Sequence, residues 1–252
     1  MEEKAMLINT AKCTACRGCQ VACKQWNQLP AVATKNVGSY ENPPTGALHT
    51  FTKVAFKEEV VDGKLKWLFR KEQCMHCTKA TCVEMCPVDA RGKNEFGFTE
   101  VDREKCVGCG LCVSVCPFQV PYLDTADNKA KNCWFCLDRV LNGLTPACAK
   151  TCPAGAIKFG NRSDMLQLAA DVRNKSNGKL NLYGDSQFMG LHMLYLLSAK
   201  PESYGLSDEG KMVAKLNKLE AYAMLEKKMA GSPLKAEVLT MAALKYFGNV
   251  HV

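Results

Sequence analysis

Apolar residues fall along this chain in short bursts separated by polar or glycine- and proline-rich stretches. Ala5 to Ile8 is an apolar run of strand length. Thr50 to Lys57 and Lys64 to Arg70 are β-rich and partly alternating. With Asp62-Gly63 between them they predict a hairpin, on which Trp67 and Phe69 are expected to pack. Asn42-Pro43-Pro44-Thr45-Gly46 is a turn, and Phe96 to Val101 reads as another strand. Beyond residue 152 the pattern predicts helix and connecting loop. Ser163 is placed to cap a helix carrying Met165, Leu166, Leu168, Ala169 and Val172. A second helix is expected from about Asp208 to Ala230, with Met212, Val213, Leu216, Leu219 and Leu225 on it and Gly231 as its stop. Ser232-Pro233 opens a last helix, to Phe247 with Gly248 behind it. These apolar faces fit either core or a docking surface for another subunit.

The longest apolar candidate, Phe188 to Ala199, is interrupted by Gly190 and His192 and is too short to span a bilayer, so no transmembrane segment is expected. The opening Met1-Glu2-Glu3-Lys4 has neither the basic start nor the apolar stretch of a secretory signal. A soluble protein is expected. With 252 residues, 47% hydrophobic and 23% charged, the chain can bury a core in one large domain or two small ones.

The composition is ordinary except for sixteen cysteines, which fall into four groups of four. These are Cys13, Cys16, Cys19 and Cys23; Cys74, Cys77, Cys82 and Cys86; Cys106, Cys109, Cys112 and Cys116; and Cys133, Cys136, Cys148 and Cys152. Disulfides suit short secreted chains, and neighbouring C-x2-C pairs make strained bridges. Structural zinc is usually held by two separated knuckles, not by three or four cysteines packed into a dozen residues and ending in Cys-Pro. The run C-x2-C-x2-C-x3-C-P, matched fully by the third group, is the ferredoxin signature. Its first three thiolates hold one iron–sulfur cluster and the fourth reaches a second. That crossed rule pairs the second and third groups, giving one set of Cys74, Cys77, Cys82 and Cys116 and another of Cys106, Cys109, Cys112 and Cys86. The first and fourth groups then give Cys13, Cys16, Cys19 and Cys152, and Cys133, Cys136, Cys148 and Cys23.

The formal charge of +8 counts each cysteine as neutral. An oxidised [4Fe–4S] centre with four thiolates carries −2, so four of them bring the balance to about zero, and the basic excess needs no nucleic acid to explain it. Lys12, Arg17, Lys24, Lys79, Lys105 and Lys131 flank the cysteines, as that account requires. His76, inside Cys74-Met75-His76-Cys77, is expected in a hydrogen bond or at the surface rather than as a ligand. Trp134 and Phe135 are expected to shield a cluster from water. No catalytic constellation is present: no dinucleotide fingerprint, P-loop or nucleophile motif, and only four scattered histidines.

The order of the four groups, with eleven residues between Cys136 and Cys148, resembles the iron–sulfur (β) subunits of molybdopterin oxidoreductases. These serve formate dehydrogenases and the sulfoxide, nitrate and polysulfide or thiosulfate reductases. Cys13 to Trp26 (CTACRGCQVACKQW) is similar to the opening loop of formate dehydrogenase β subunits, and Gly190-Leu-His-Met-Leu-Tyr195, with Lys200-Pro201 and Tyr204-Gly205, is similar to a segment those subunits carry after the last cluster. The resemblance implies an α+β fold with two pseudo-symmetric ferredoxin-like dicluster lobes, an inserted β-hairpin and a helical C-terminal extension. Residues 1–23 and 131–160 would form one lobe and 74–130 the other. Residues 24–73 would be the insertion, and 161–252 an extension that docks another subunit. It further implies four [4Fe–4S] clusters and no catalysis by the chain itself. The partners would be a molybdenum or tungsten bis-pterin catalytic α subunit and an acceptor such as a cytochrome, a ferredoxin or a further redox subunit. All sixteen ligands are present, so no three-iron variant is expected. The implied location is the periplasm, by export with the α subunit, or the cytoplasm. The β subunit of a sulfur-compound or sulfoxide reductase and a free-standing polyferredoxin are the alternatives within redox chemistry. A zinc-stabilised scaffold without visible absorbance is the alternative outside it.

Overall fold

The computed structural model of the chain describes residues 2–44, 49–61, 63–206 and 217–248. β1 (Lys4–Asn9) runs through a 3-10 turn to α1 (Gly18–Trp26), and β2 (Lys53–Val61) and β3 (Lys64–Glu72) form the hairpin. Short elements follow: α2 (Thr81–Glu84), β4 (Arg91–Lys93), β5 (Thr99–Val101), α3 (Leu111–Ser114), β6 (Tyr122–Leu123) and β7 (Ala130–Lys131). Then come α4 (Leu137–Leu141), α5 (Ala147–Lys150), β8 (Ile157–Asn161), α6 (Arg162–Lys175), β9 (Asn181–Tyr183) and β10 (Met193–Leu197). α7 (Lys218–Lys228) and α8 (Lys235–Phe247) close the described chain.

The framework is a four-stranded sheet drawn from both ends of the sequence, in the order β8-β1-β10-β9. β1 is antiparallel to β8 and parallel to β10, with Met6 opposite Met193 and Ile8 opposite Tyr195. Strand alternation divides the buried side chains between two faces. Met6, Ile8, Met193, Tyr195 and Leu197 join a core that contains Cys19 and Cys148. Ala5, Leu7, Leu194 and Leu196 pack with Met165 and Ala169 of α6. Each fully buried aliphatic side chain here contributes about 1.5–3 kcal/mol. One face of the sheet is therefore the floor on which the cysteine loops sit, and the other is covered by a helix.

Two expectations are corrected at this point. Beyond residue 152 the chain is not helix and connecting loop alone, because Met193–Leu197 is the strand β10, buried at every position. Buried on both faces, such a strand reads as a continuous apolar run with no alternation to betray it. The segment after residue 161 is also not one helical extension. α6, β9 and β10 belong to the central sheet, whereas α7 and α8 lie against Met85, Leu111 and Val115. The inner faces of those last helices (Ala221, Leu225, Val238, Ala242 and Tyr246) are core, while Leu219, Leu244 and Phe247 remain exposed.

Boundaries differ in detail. α6 is preceded by Asn161, and Ser163 instead donates its hydroxyl to Glu2 at 2.7 Å. Of the helix expected from Asp208, residues 207–216, including Met212, Val213 and Leu216, lie outside the described residues. α7 starts behind Asn217, whose side chain forms a reciprocal capping box with Glu220. The hairpin pairs Val61 with Lys64, and β2 begins at Lys53 rather than Thr50; Asp62 lies outside the described residues. Trp67 packs beside Tyr40 and Phe56. β5 is shorter than expected because the Asn94 side chain accepts from the Phe96 and Phe98 N–H groups and bends that stretch into a turn.

Candidate metal centres

Each cysteine loop repeats one backbone device. The residue two places after the first cysteine is left-handed in all four: Ala15 (φ 53), His76 (φ 46), Gly108 (φ 69) and Phe135 (φ 64). The third residue after the last cysteine is left-handed in the three groups ending in Cys-Pro, at Asp89, Gln119 and Gly155. Bulky residues rarely adopt this conformation, which costs roughly 1–3 kcal/mol and gathers at functional sites. It turns consecutive N–H groups to one side as an anion-binding nest. Backbone hydrogen bonds from Ala15, His76 and Phe135 accordingly stabilise the thiolates of Cys13, Cys74 and Cys133. The Ala130 N–H donates to Cys106 Sγ at 3.4 Å. Short helices follow, and in α1 the four-residue spacing puts Cys19 and Cys23 on one buried face.

Two cavities receive four thiols each. One is lined by Cys23, Cys133, Cys136 and Cys148. The other is lined by Cys86, Cys106, Cys109 and Cys112. In both, three cysteines come from one group and the fourth from another. The remaining eight thiols group through their charges. Burial raises the Cys77 thiol, and the neighbouring Cys82 and Cys116 raise it further. Cys74 is likewise raised well above the ordinary thiol value by burial, then by Cys82, Cys133 and Cys77. Burial raises Cys13, with Cys152 and Cys16 adding to it, and pushes Cys19 up to about 11 beside Cys148, Cys13 and Cys16. Two of the four sets expected from spacing thus line one cavity each, and the thiols of the other two lie near enough for their charges to interact.

Thiols of different sets also lie near enough for their charges to interact. Cys112 feels the charge of Cys82, Cys74 that of Cys133, and Cys19 that of Cys148. These are the couplings expected of a row in the order Cys86/106/109/112, Cys74/77/82/116, Cys23/133/136/148 and Cys13/16/19/152. Cys16, in the last set, is exposed.

The residues fit an iron–sulfur centre on three counts. Burial pushes Cys109 up to about 11 and Cys136 up to about 12, so these thiols ionise only when a cation arrives to compensate them. Arg91 Nε and His76 Nε2 are buried without a hydrogen-bond partner among the described residues. The thiols also line the walls of a space, whereas tetrahedral zinc needs four sulfurs about 2.3 Å from one point. Among the described residues, no three His, Cys, Asp or Glu side chains gather in that way.

Two cations that spacing did not single out lie at these sites. Lys71 lines the first cavity and Arg91 the second. Burial opposes the ammonium of Lys71, but the charges of Cys148, Cys19 and Cys133 outweigh it and hold the group above the ordinary lysine value. Arg91 is raised in the same way: burial opposes it, and Cys112, Cys82 and Cys74 prevail. Three of the six flanking residues that spacing did single out have partners elsewhere: Lys24 donates to the Pro30 and His49 carbonyls, Lys105 pairs with Asp102, and Lys131 with Asp124.

His76 is fully buried rather than at the surface, and its Nδ1 accepts from the Thr99 N–H at 3.0 Å. Burial, first, holds it neutral by lowering its pKa well below the ordinary histidine value. Phe135 is buried and stacks on Phe98 at 3.9 Å, sealing a cavity wall. Trp134 lines the same cavity yet is 49% exposed, so it shields only one edge.

Two stretches match families described as 4Fe-4S dicluster domains, residues 12–90 and residues 65–162. The chain is 39% identical over 210 residues to the formate dehydrogenase-O iron-sulfur subunit of Escherichia coli (strain K12), covering 81% of this chain and 70% of that protein. It is 38% identical to the iron-sulfur subunit of the nitrate-inducible formate dehydrogenase of the same organism, covering 83% and 74%. With formate dehydrogenase 2 subunit beta (cytochrome c-553) of Nitratidesulfovibrio vulgaris it shares 36% identity, over 80% and 96%.

Proposed function

Since the chain belongs to the iron–sulfur subunits of formate dehydrogenases, we propose that it relays electrons between a molybdenum or tungsten bis-pterin catalytic subunit and a separate acceptor. It is a non-catalytic electron-transfer subunit. Four [4Fe–4S] clusters supply the one-electron exchange that no protein side chain of this chain offers. Cys13, Cys16, Cys19 and Cys152 would hold one, and Cys23, Cys133, Cys136 and Cys148 the next. Cys74, Cys77, Cys82 and Cys116 would hold the third, and Cys86, Cys106, Cys109 and Cys112 the fourth. The observation that carries this reading is the pair of cavities, each closed by three cysteines of one loop and a fourth from elsewhere.

The remaining residues prepare those sites. The left-handed positions turn N–H groups toward the sulfurs, which favours the thiolate form. Phe135, Phe98 and Met6 exclude water from the inner sets. The row of sets supports a conduit with two ends, and the exposed Cys16 supports one end near a partner. The crossed ligands support two lobes related by an internal pseudo-twofold. Among the described residues no helix is long and apolar enough to cross a membrane.

The test is to isolate the chain anaerobically with its natural partner. Formate should then bleach the visible iron–sulfur absorbance of the complex and reduce a viologen dye. A complex that ignores formate, and whose dithionite-reduced clusters are reoxidised by a sulfoxide or polysulfide, overturns the assignment.

A further inference from the structure

Lysine and arginine are almost never fully buried unless a carboxylate partners them. Three such side chains are buried among the described residues: Lys53, Lys71 and Arg91. Lys53 is paired with Glu41 and Glu72, so its charge is met within the protein. Lys71 and Arg91 are not. Lys71 donates to Thr52 Oγ1 at 2.8 Å and Gln73 Oε1 at 2.9 Å, both neutral. Arg91 donates through Nη2 to Asn132 Oδ1 at 2.8 Å and reaches Cys82 Sγ through Nη1 at 3.7 Å, while its Nε has no partner among the described residues.

Both lie between two cysteine sets of one lobe. Arg91 lines the cavity of Cys86, Cys106, Cys109 and Cys112, and its Nη1 contacts Cys82 of the neighbouring set. Lys71 lines the cavity of Cys23, Cys133, Cys136 and Cys148 and acts on Cys19 of the set beside it. Each lobe therefore has one buried cation between its two sets, although the two come from different elements, β3 and β4. Reduction adds a negative charge to a cluster, so a fixed cation close by favours the reduced form.

Building on the four-cluster reading, we infer that Lys71 and Arg91 are potential-setting residues, each raising the reduction potentials of the two clusters of its own lobe. They are positioning groups and touch no substrate. The effect is local, because each is buried in one lobe with low-dielectric surroundings, and it depends on charge rather than on the shape of either side chain.

The experiment uses the intact complex carrying Arg91→Gln, Lys71→Gln and the charge-conserving Arg91→Lys and Lys71→Arg. Iron is counted first, and the four cluster midpoints are then followed by EPR-monitored redox titration. A wild-type complex without four clusters defeats the underlying reading before any variant is compared. With four present, Arg91→Gln should make reduction of two clusters at least tenfold less favourable, 59 mV for one electron, and leave the other two in place. Lys71→Gln should move the complementary two, and the charge-conserving variants should stay near wild type. Unmoved midpoints at full iron content overturn the inference. So does a common shift of all four, an equal shift in the charge-conserving variants, or loss of iron in place of a change in potential.

Discussion

Removing the thiol of Cys86 tests the crossed arrangement. Cys86 is 8% exposed and follows α2, which carries Cys82, yet it lines the cavity of Cys106, Cys109 and Cys112. In Cys86→Ala only Sγ is lost. The Cys86 carbonyl, which accepts from Lys245 at 2.7 Å, stays to anchor α8, so the packing cost is about 1 kcal/mol. The cofactor cost is much larger. With three thiols left around that cavity, one cluster is lost and iron falls from about sixteen atoms per chain to about twelve. The decisive step is to add a second substitution, because losses within one set do not add while losses in separate sets do. Cys86→Ala with Cys109→Ala should remain at about twelve iron atoms, and Cys86→Ala with Cys77→Ala should fall to about eight. Iron and acid-labile sulfide, measured on the anaerobically isolated complex, read this directly. If the Cys77 double variant keeps about twelve and the Cys109 double variant drops to about eight, the thiols of each loop serve a single cluster and the crossed ligand sets are wrong.

Gly108 and Gly110 are both left-handed, but a Cβ on Gly108 would stand 2.0 Å from the Asn128 carbonyl oxygen, whereas at Gly110 the nearest atom is the mobile Lys228 Nζ at 3.3 Å. Gly108→Ala should therefore deplete the adjacent cluster, while Gly110→Ala costs only about 1 kcal/mol of backbone strain and keeps its iron. Leu225→Ala, at a fully buried position against Met85, Leu111 and Val115, should cost about 2–5 kcal/mol and expose α7 and α8 to limited proteolysis before the rest of the chain. Removing the clusters takes away about −2 at each site and should return the chain toward its formal +8. The stripped chain should bind a cation exchanger that the loaded chain passes through.

The cysteines of the two cavities were legible in the spacing: the crossed rule alone put Cys23 with Cys133, Cys136 and Cys148, more than a hundred residues away. The cations were not. Lys24, Lys105 and Lys131 stand beside cysteines in the sequence but turn to carbonyls or carboxylates, and the cations that line the two cavities are Lys71 and Arg91. Lys71 precedes Cys74 by three residues yet serves the other lobe, a relation set by the packing of β3 that no local pattern encodes. Glycine occupies the left-handed positions 108 and 110, whereas Ala15, His76 and Phe135 adopt that conformation against residue preference, which no local pattern marks. The sheet was half visible. β1 and the hairpin followed from pattern, whereas β10 was hidden because its parallel pairing with β1 joins residues nearly two hundred positions apart.

The central claim is that sixteen thiols are shared, four apiece, among cubane cofactors. Quantifying iron, sulfide and zinc per chain in anaerobically isolated complex, with the catalytic subunit's own metals subtracted, tests it most directly. The account predicts about sixteen iron and about sixteen sulfide with no stoichiometric zinc. A few zinc atoms without sulfide, or cysteines recovered as disulfides, would contradict it.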